Sequence, residues 1–429
     1  MGKNSDHVTP ATLYDFQEAG MKNLLLVMVA IFCNSIEAQN WNRFRGPSGD
    51  GQFAALNLPF AWKEGTFKWK VDLPGSGHAS PVIWGEKIFT TCASPSDSVQ
   101  YVLCIDTETG KILWQKEFGS TPYPHHKFNS YASSTPAVDQ DFLFVSWTTK
   151  KSNILLCLDH HGKMIWKRDF GAYQTEHGNG FSPIVYGRHV FVTHDHESDS
   201  ALYSLNRKTG ETIWKVDRTG SKPSASTPTI YQTNQGKALV VSTSQSHGCY
   251  AVDIESGKIS WETGPGSLDK RSVSSPYFAG GYFYASCGSG GRGSRFLIIK
   301  PPSSLPGKAE IKHTITRNAP YVPTSLVIED FVFSISDGGI ASAIDLKSGD
   351  NLWLERVKGN FFASPVRSGE LIFLVTREGK VMTVKANRKG LQHLGESRLN
   401  ETVHNTPAFS PRGIFIRTFN SLIHIPIKS

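Results

Sequence analysis

A short step of small residues and a proline recurs eight times along the chain, and this internal repeat constrains the fold more than any other feature. Successive steps lie 42 to 55 residues apart, and each is followed by two short runs rich in β-branched and aromatic residues, as in 87–92 KIFTTC and 101–106 YVLCID. The prolines of the steps are Pro81, Pro136, Pro183, Pro228, Pro276, Pro323, Pro365 and Pro407. Runs of this kind, separated by polar turns, are typical of β-strands. The chain is therefore predicted to be an array of similar β units.

A turn motif followed by a tryptophan lies at the end of most of the units. In four of them the second run ends in Asp or Asn, a Thr-Gly or Ser-Gly pair begins three residues later, and a Trp lies eight residues after the Asp or Asn. In a hairpin of this type the Asp or Asn accepts backbone N–H bonds and the Gly adopts the left-handed conformation. The turn glycines are Gly110, Gly210, Gly257 and Gly349. Because they follow the repeat, the tryptophans are predicted to be structural, filling gaps between units; they are Trp69, Trp114, Trp166, Trp214, Trp261 and Trp353.

Four strands in about 47 residues, repeated along the chain, predict an all-β fold, a β-propeller of four-stranded antiparallel blades. Only 22 residues follow Pro407, enough for three strands, whereas Trp69 precedes Pro81 by 12 residues, as Trp353 precedes Pro365. We therefore expect the N-terminal strand around Trp69 to complete the last blade and close the ring. Eight proline steps predict eight blades. Two units lack the tryptophan of the fourth strand, so seven blades is the alternative.

Residues 1–38 are predicted to be an N-terminal extension plus a signal peptide, and residues 39–429 a single propeller domain. A second start at Met21 is followed by Lys22, an apolar stretch at 24–32 and a small residue at Ala38, which is typical of a secretory signal. The alternative is a cytosolic N-terminus with a chance apolar stretch. A lipoprotein would use Cys33, but the bulky residue before it disfavours that processing site. A periplasmic or secreted location is therefore expected.

Composition and charge exclude several classes of protein. Aromatic residues make up 11% and charged residues only 19%, which excludes an intrinsically disordered chain. The net charge of +8 is dispersed, and no nucleic-acid partner is predicted. No apolar run reaches the roughly 18 residues of a membrane span. Five of the six cysteines lie in strand-like runs and are predicted to be buried free thiols.

The repeated word D-x-x-[TS]-G-x-x-x-W resembles the pyrroloquinoline-quinone (PQQ) repeat of quinoprotein alcohol dehydrogenases and of the BamB family. The segment 41–51, WNRFRGPSGDG, is similar to the opening of secreted BamB-like propellers. The resemblance covers about residues 41–429 and implies the fold. The enzymes of that family carry an adjacent Cys pair, an Asp base and a Ca²⁺ site. This chain has no adjacent Cys pair and no Asp that a motif assigns as base, so no catalytic residue is predicted.

Candidate binding residues come from the loops that one face of a propeller collects. That face would hold eight of the histidines, His78, His125, His126, His177, His194, His196, His247 and His404. Charged companions there would be Asp195, Glu197, Asp199, Arg271, Arg292, Asp337 and Arg377. A funnel site near the axis is predicted from His78, His177, Arg271 and His404. The word His194-Asp195-His196 offers nitrogen and oxygen ligands for a metal ion, and its alternative is a solvated loop.

The function predicted first is a non-catalytic envelope scaffold, BamB-like, that binds a protein or envelope component as a monomeric ring and needs no cofactor. This function is predicted because every strong sequence pattern concerns how the ring is built, whereas function is left to the variable loops. One alternative is a PQQ-dependent oxidoreductase that also binds Ca²⁺. A further alternative is a metal- or glycan-binding propeller.

Overall fold

The computed structural model describes residue 2 and residues 40–428, except positions 95, 97, 198 and 221. The predicted leader therefore lies, apart from Gly2, outside the described residues. Residues Trp41–Ser429 form one compact unit. Every regular element in the described part is a β-strand, and no helix there has the length and apolar character needed to cross a membrane.

Thirty-three strands build the unit. Two precede the first blade: β1 (Gln52–Phe53) and β2 (Trp69–Asp72). Blades 1 and 2 contain β3 (Val82–Trp84), β4 (Lys87–Ser94), β5 (Val99–Asp106), β6 (Ile112–Gly119), β7 (Ala137–Val138), β8 (Phe142–Thr148), β9 (Asn153–Asp159) and β10 (Met164–Asp169). Blades 3 and 4 contain β11 (Ile184–Tyr186), β12 (His189–His194), β13 (Ser200–Asn206), β14 (Thr212–Arg218), β15 (Thr229–Gln232), β16 (Ala238–Ser244), β17 (Gly248–Asp253) and β18 (Ile259–Glu262). Blades 5 and 6 contain β19 (Tyr277–Ala279), β20 (Tyr282–Ser289), β21 (Arg292–Lys300), β22 (Glu310–Ile315), β23 (Leu326–Ile328), β24 (Phe331–Ile335), β25 (Ile340–Asp345) and β26 (Asn351–Arg356). Blades 7 and 8 contain β27 (Val366–Ser368), β28 (Leu371–Val375), β29 (Lys380–Asn387), β30 (Gly390–Arg398), β31 (Ala408–Ser410), β32 (Gly413–Arg417) and β33 (Ser421–Pro426).

The fold prediction is confirmed: the structure is an eight-bladed propeller, and the seven-bladed alternative is wrong. Each blade contains a four-stranded antiparallel sheet. The last blade takes its outer strand from the N-terminal side, because β2 pairs with β33 in the register Trp69↔His424 to Asp72↔Ser421. This pairing joins residues about 350 positions apart and leaves no open seam in the ring.

Three of the four turn glycines, Gly110, Gly210 and Gly257, lie beneath a tryptophan of the preceding blade, whereas Gly349 lies beneath His313. Trp214 on β14 donates its indole N–H to Ile254 O at 2.8 Å, and a Cβ added to Gly257 in that turn would lie 2.7 Å from the Trp214 ring. Gly257 has a φ of +70°, as the hairpin requires. Trp69, Trp114, Trp166 and Trp353 donate to a carbonyl of the next blade in the same way. The indoles therefore tie neighbouring blades together at the rim.

A belt of hydroxyl groups links the blades near the axis. In seven of the eight proline steps the Ser or Thr side chain accepts a hydrogen bond from the backbone N–H of the corresponding residue in the preceding blade. Seven bonds of this kind, 3.0 or 3.1 Å long, join Ser80, Thr135, Ser182, Thr227, Ser275, Thr324, Ser364 and Thr406. In blade 6 the belt residue is Thr324, which follows Pro323 instead of preceding a proline. The proline is thus dispensable at the step, whereas the hydroxyl is retained in all eight blades.

An N-terminal arm, residues 41–53, crosses the ring and was not predicted to have this role. Arg43 donates to Pro228 O of blade 4 at 2.9 Å. Arg45 is fully buried and donates to five carbonyls, including Thr324 O and Pro365 O between blades 6 and 7. The arm ends in β1, which adds to β27 in parallel and makes blade 7 five-stranded.

The glycines of the arm leave room for these long side chains. A Cβ added to Gly49 would lie 2.6 Å from the Arg43 guanidinium, and one added to Gly51 would lie 2.7 Å from that of Arg45. Both glycines also have positive φ, 69° and 76°. Gly49 and Gly51 of the Gly-rich segment 46–51 are therefore explained by arginine packing within the ring, whereas a Cβ added to Gly46 would lie 2.9 Å from the Trp41 ring.

Candidate functional site

A cavity of about 640 Å³ lies inside the belt of hydroxyl groups. All the belt residues except Thr324 contribute to its wall, and Phe44 of the N-terminal arm does so as well. Ser289, Gly290 and Gly291, at the exposed tip of the hairpin between β20 and β21, also line it. The volume is within the range of small-molecule sites, about 300–1,000 Å³.

The four residues predicted for a funnel site all line this cavity. The rings of His78 and His404 stack with centroids 4.1 Å apart. His177 stacks on His126, another lining residue, at 5.2 Å. Arg271 also belongs to the wall. Sequence reasoning thus placed these side chains on one wall, although their binding role stays a prediction.

Burial keeps three of the cavity histidines, His78, His177 and His404, neutral at pH 7. It lowers the pKa of His404 to about 4, with a further contribution from the Arg377 cation. It lowers the pKa of His78 well below the ordinary value, and His404 adds to this effect. The pKa of His177 is lowered by burial and by Arg271. His404 Nδ1 donates to Phe128 O at 3.1 Å, so its Nε2 is the unprotonated nitrogen.

The charged groups of the wall differ in how well they are paired. Arg271 Nη2 lies 3.6 Å from both Glu176 Oε2 and Glu197 Oε1. Asp337 accepts the backbone N–H groups of Tyr321 at 2.8 Å and Val322 at 3.2 Å. Burial nevertheless raises the pKa of Asp337 to about 7.

Arg377 packs into a corner formed by two aromatic rings. Its Cζ lies 3.8 Å from the ring centroid of Phe128 and 4.7 Å from that of Phe362. The two phenylalanines meet edge to face at 5.4 Å, and Phe362 also meets His404 edge to face at 5.0 Å. Phe128 and Phe362 were missed by the sequence analysis. The signal that could have pointed to Phe128 is the longest interval between steps, 55 residues from Pro81 to Pro136.

The residues predicted to bind a metal lie elsewhere and are buried rather than solvated. His194 Nδ1 contacts the side-chain nitrogen of Asn153 at 2.6 Å. Asp195 accepts Ser224 N at 2.8 Å, while His196 Nε2 lies 3.2 Å from Asp199 O. Within the described ranges, no three His, Cys, Asp or Glu side chains are grouped so that they could hold a metal ion. The metal-binding role of His194, Asp195 and His196 stays a prediction.

The donor set of the cavity does not fit a quinone bound together with Ca²⁺. Such a cation needs six to eight oxygen ligands. Asp337 is the one carboxylate among the lining residues, and both of its oxygens accept backbone N–H groups. The five cysteines of the described part are buried in separate strands. We therefore derive no reaction step through a quinone.

Comparison with known proteins connects this ring to two groups of proteins. A family model described as outer membrane protein assembly factor BamB matches residues 98–304. Polyvinylalcohol dehydrogenase of a Pseudomonas species is 22% identical over 330 residues, which are 68% of this chain and 46% of that protein. The chain thus spans about half the length of that relative. Outer membrane protein assembly factor BamB of Bordetella pertussis is 23% identical over 365 residues, 81% of this chain and 82% of that protein.

Solved structures agree on the fold. BamB of Moraxella catarrhalis superimposes with a TM-score of 0.58 at 14% identity and covers 83% of this chain and 98% of that chain. Quinohemoprotein alcohol dehydrogenase of Comamonas testosteroni gives a TM-score of 0.66 at 11% identity, covering 93% and 82%. Together with the eight blades and their turn motifs, these likenesses show that the chain is an eight-bladed β-propeller similar to BamB and to quinoprotein alcohol dehydrogenases.

Proposed function

We propose that the chain is a non-catalytic scaffold of the cell envelope that holds a protein partner, as its BamB-type relatives are named for assembling outer membrane proteins. The observation that carries the proposal is the match to Bordetella BamB, which spans 81% of this chain and 82% of the relative. A match over most of both chains is expected if the ring itself, rather than an added catalytic segment, is the working part.

The construction of the ring supports a scaffold role. The hydroxyl belt joins blades near the axis, the indoles join them at the rim, and β2 closes the last blade. Hydrogen bonds at both radii fix the blades relative to one another. A partner could then bind across several blades without reordering them, which lowers the entropic cost of association.

Loss of the protein from its own bacterium tests the proposal. Outer membrane proteins, separated without heating, migrate differently when folded and unfolded, so the folded fraction can be measured directly. We expect the folded fraction to fall in the deletion strain and to return when the wild-type gene is restored. An unchanged folded fraction, with the deletion verified, would contradict a BamB-like role.

The second candidate is a quinone-dependent alcohol oxidoreductase. It is favoured by the sequence match to a polyvinylalcohol dehydrogenase and by an axial cavity of about 640 Å³. The test is to incubate the purified protein with PQQ and Ca²⁺, remove the excess, and measure the bound quinone by absorbance. Stoichiometric quinone with alcohol-dependent dye reduction would establish the enzyme and overturn the non-catalytic proposal. Loss of all quinone on gel filtration would remove the second candidate.

We propose a periplasmic or secreted location, reached by removal of residues 1–38. The mature chain would then begin at Gln39, two residues before the arm that crosses the ring. Mass spectrometry of the protein isolated from its host tests this directly. A chain that begins at Met1, Met21 or a lipid-modified Cys33 would contradict the proposed processing.

A further inference from the structure

The guanidinium of Arg377 packs into a corner formed by two aromatic rings. Its Cζ lies 3.8 Å from the ring centroid of Phe128 and 4.7 Å from that of Phe362, and the two centroids are 5.4 Å apart, so the rings meet beside the cation rather than on its opposite faces. Stacking of this kind stabilises the cation and fixes the plane of the fork, while the in-plane N–H groups keep their hydrogen-bonding capacity. The side chain is therefore held ready for an acceptor that approaches in its plane.

No such acceptor is supplied by the part of the chain that the structure describes. Arg377 has no carboxylate within ion-pair distance there, and its Nε is buried without a hydrogen-bond partner. By comparison, Arg271 shares the cavity wall but lies close to the carboxylates of Glu176 and Glu197. A buried donor without a partner is costly, and stacking on aromatic rings does not satisfy its N–H group. Arg377 is thus the cation of the cavity wall that has no carboxylate partner among the described residues.

The contact of Phe128 with Arg377, called the clamp from here on, depends on an insertion rather than on the repeat. Phe128 belongs to the connection between β6 and β7, in the longest interval between proline steps. That connection leaves blade 1, yet Phe128 O accepts a hydrogen bond from His404 at the entry to blade 8. Phe128 then stacks on Arg377 from the loop between β28 and β29 of blade 7. The contact joins parts of the ring that the repeated strands alone do not bring together.

The remaining wall beside Arg377 is aromatic and weakly polar. Phe362 and His404 present aromatic rings to the same cavity, and His404 is neutral at pH 7 because burial lowers its pKa to about 4. Lys127 Nζ lies 5.2 Å from the Phe128 centroid and adds a second positive charge near the clamp. This combination suits a ligand with a planar apolar body and one anionic group of matching fork geometry.

We propose that the axial cavity binds a small organic carboxylate, with the carboxylate on the edge of Arg377 and the planar body against the aromatic rings beside it. A carboxylate accepts two parallel N–H bonds from a guanidinium, whereas a neutral amide of the same shape presents only one acceptor oxygen. This site goes beyond the scaffold function and does not depend on it.

Fluorine NMR with 4-fluorobenzoate as the probe, and 4-fluorobenzamide as its uncharged counterpart, tests the site on the full chain. We expect a saturable shift for the benzoate and binding of the benzamide weaker by about tenfold or more. This comparison uses wild-type protein alone, so it does not depend on the folding of any variant. Equal binding of the two probes, or no saturable benzoate shift up to about 10 mM, would overturn the proposal.

Substitutions then assign the binding to the clamp. R377Q should weaken benzoate binding about tenfold or more and leave benzamide binding nearly unchanged, and R377K should recover only part of the loss because lysine lacks the fork. The matched control is R188Q, since Arg188 pairs with Glu255 on the surface and does not line the cavity. Thermal melting verifies that each variant is folded. Benzoate affinity that is the same in folded R377Q, R188Q and wild-type protein would refute the assignment.

Discussion

Replacing Arg45 by methionine should destabilise the whole ring, although the residue belongs to an arm outside the repeat. All five N–H groups of its guanidinium donate to backbone carbonyls, of Gly49, Asp50, Thr324, Ser325 and Pro365, over 2.8 to 3.2 Å. Burial lowers the pKa of Arg45 to about 10, so the group is still a cation at pH 7 and the bonds are charge-assisted.

The magnitude follows from what the substitution leaves behind. Methionine has a similar length and fills most of the space, so the cavity contribution is small. Five carbonyls lose their donor, and each buried unsatisfied group costs about 1–3 kcal/mol. The substitution also removes the cost of burying the guanidinium, so we expect the free energy of unfolding to fall by about 4 kcal/mol in total. With an unfolding entropy of about 2.1 cal/mol/K per residue over about 390 residues, this corresponds to a midpoint about 5 °C lower.

Differential scanning calorimetry of wild type, R45M and R188M measures the effect. Arg188 is 61% exposed, so R188M controls for the loss of one arginine and should change stability by less than about 0.5 kcal/mol. A melting midpoint of R45M within about 1 °C of wild type would refute the reasoning that the arm clamps blades 6 and 7.

Three further changes probe the rim and the cavity. W214A should lower the free energy of unfolding by about 2–4 kcal/mol, because it removes the hydrogen bond to Ile254 O and uncovers Gly257. Chemical denaturation measures this loss, and W84A serves as the comparison because Trp84 is a partly buried tryptophan outside the turn positions. Asp337 has a folded pKa of about 7, above that of an unfolded Asp, so its contribution to stability is lost as the pH rises from about 4 to 7. D337N should therefore lose less stability than wild type between pH 5 and 8, and equal losses would contradict the raised pKa. His404 has a folded pKa of about 4, below that of an unfolded His, so acidification from pH 7 to 5 should destabilise wild type more than H404Q in parallel melting curves.

Features that recur in every blade could be predicted from sequence because each copy repeats the same physical requirement. Gly257 and Trp214 exemplify this: the turn needs a positive φ and the indole needs a surface without a Cβ, so the pair of residues recurs in several units. Ring closure through Trp69 was predictable for the same reason, since the missing strand of the last blade and the orphan strand at the N-terminus have complementary places in the repeat.

Features that occur only once in the chain leave no periodic pattern in the sequence. Arg43 and Arg45 are charged residues in a Gly-rich segment, a pattern that resembles an exposed loop, yet both are buried because carbonyls of several blades converge on them. His194 and His196 were expected in a metal site or a solvated loop, but Tyr173 packs on both rings at 6.1 and 5.9 Å. Whether a histidine ends in a cavity or between blades is decided by neighbours far away in sequence.

The axial cavity combines both kinds of feature, and this explains why only part of it was foreseen. Its hydroxyl belt is repeated, whereas Phe128 and Arg377 each occur once and meet across the ring. A propeller keeps its strands fixed by repetition, so a connection such as the one between β6 and β7 can lengthen without disturbing the blades. Chemistry specific to this chain is therefore expected where the repeat interval is longest, and the interval ending at Pro136 is the one that reaches over the cavity.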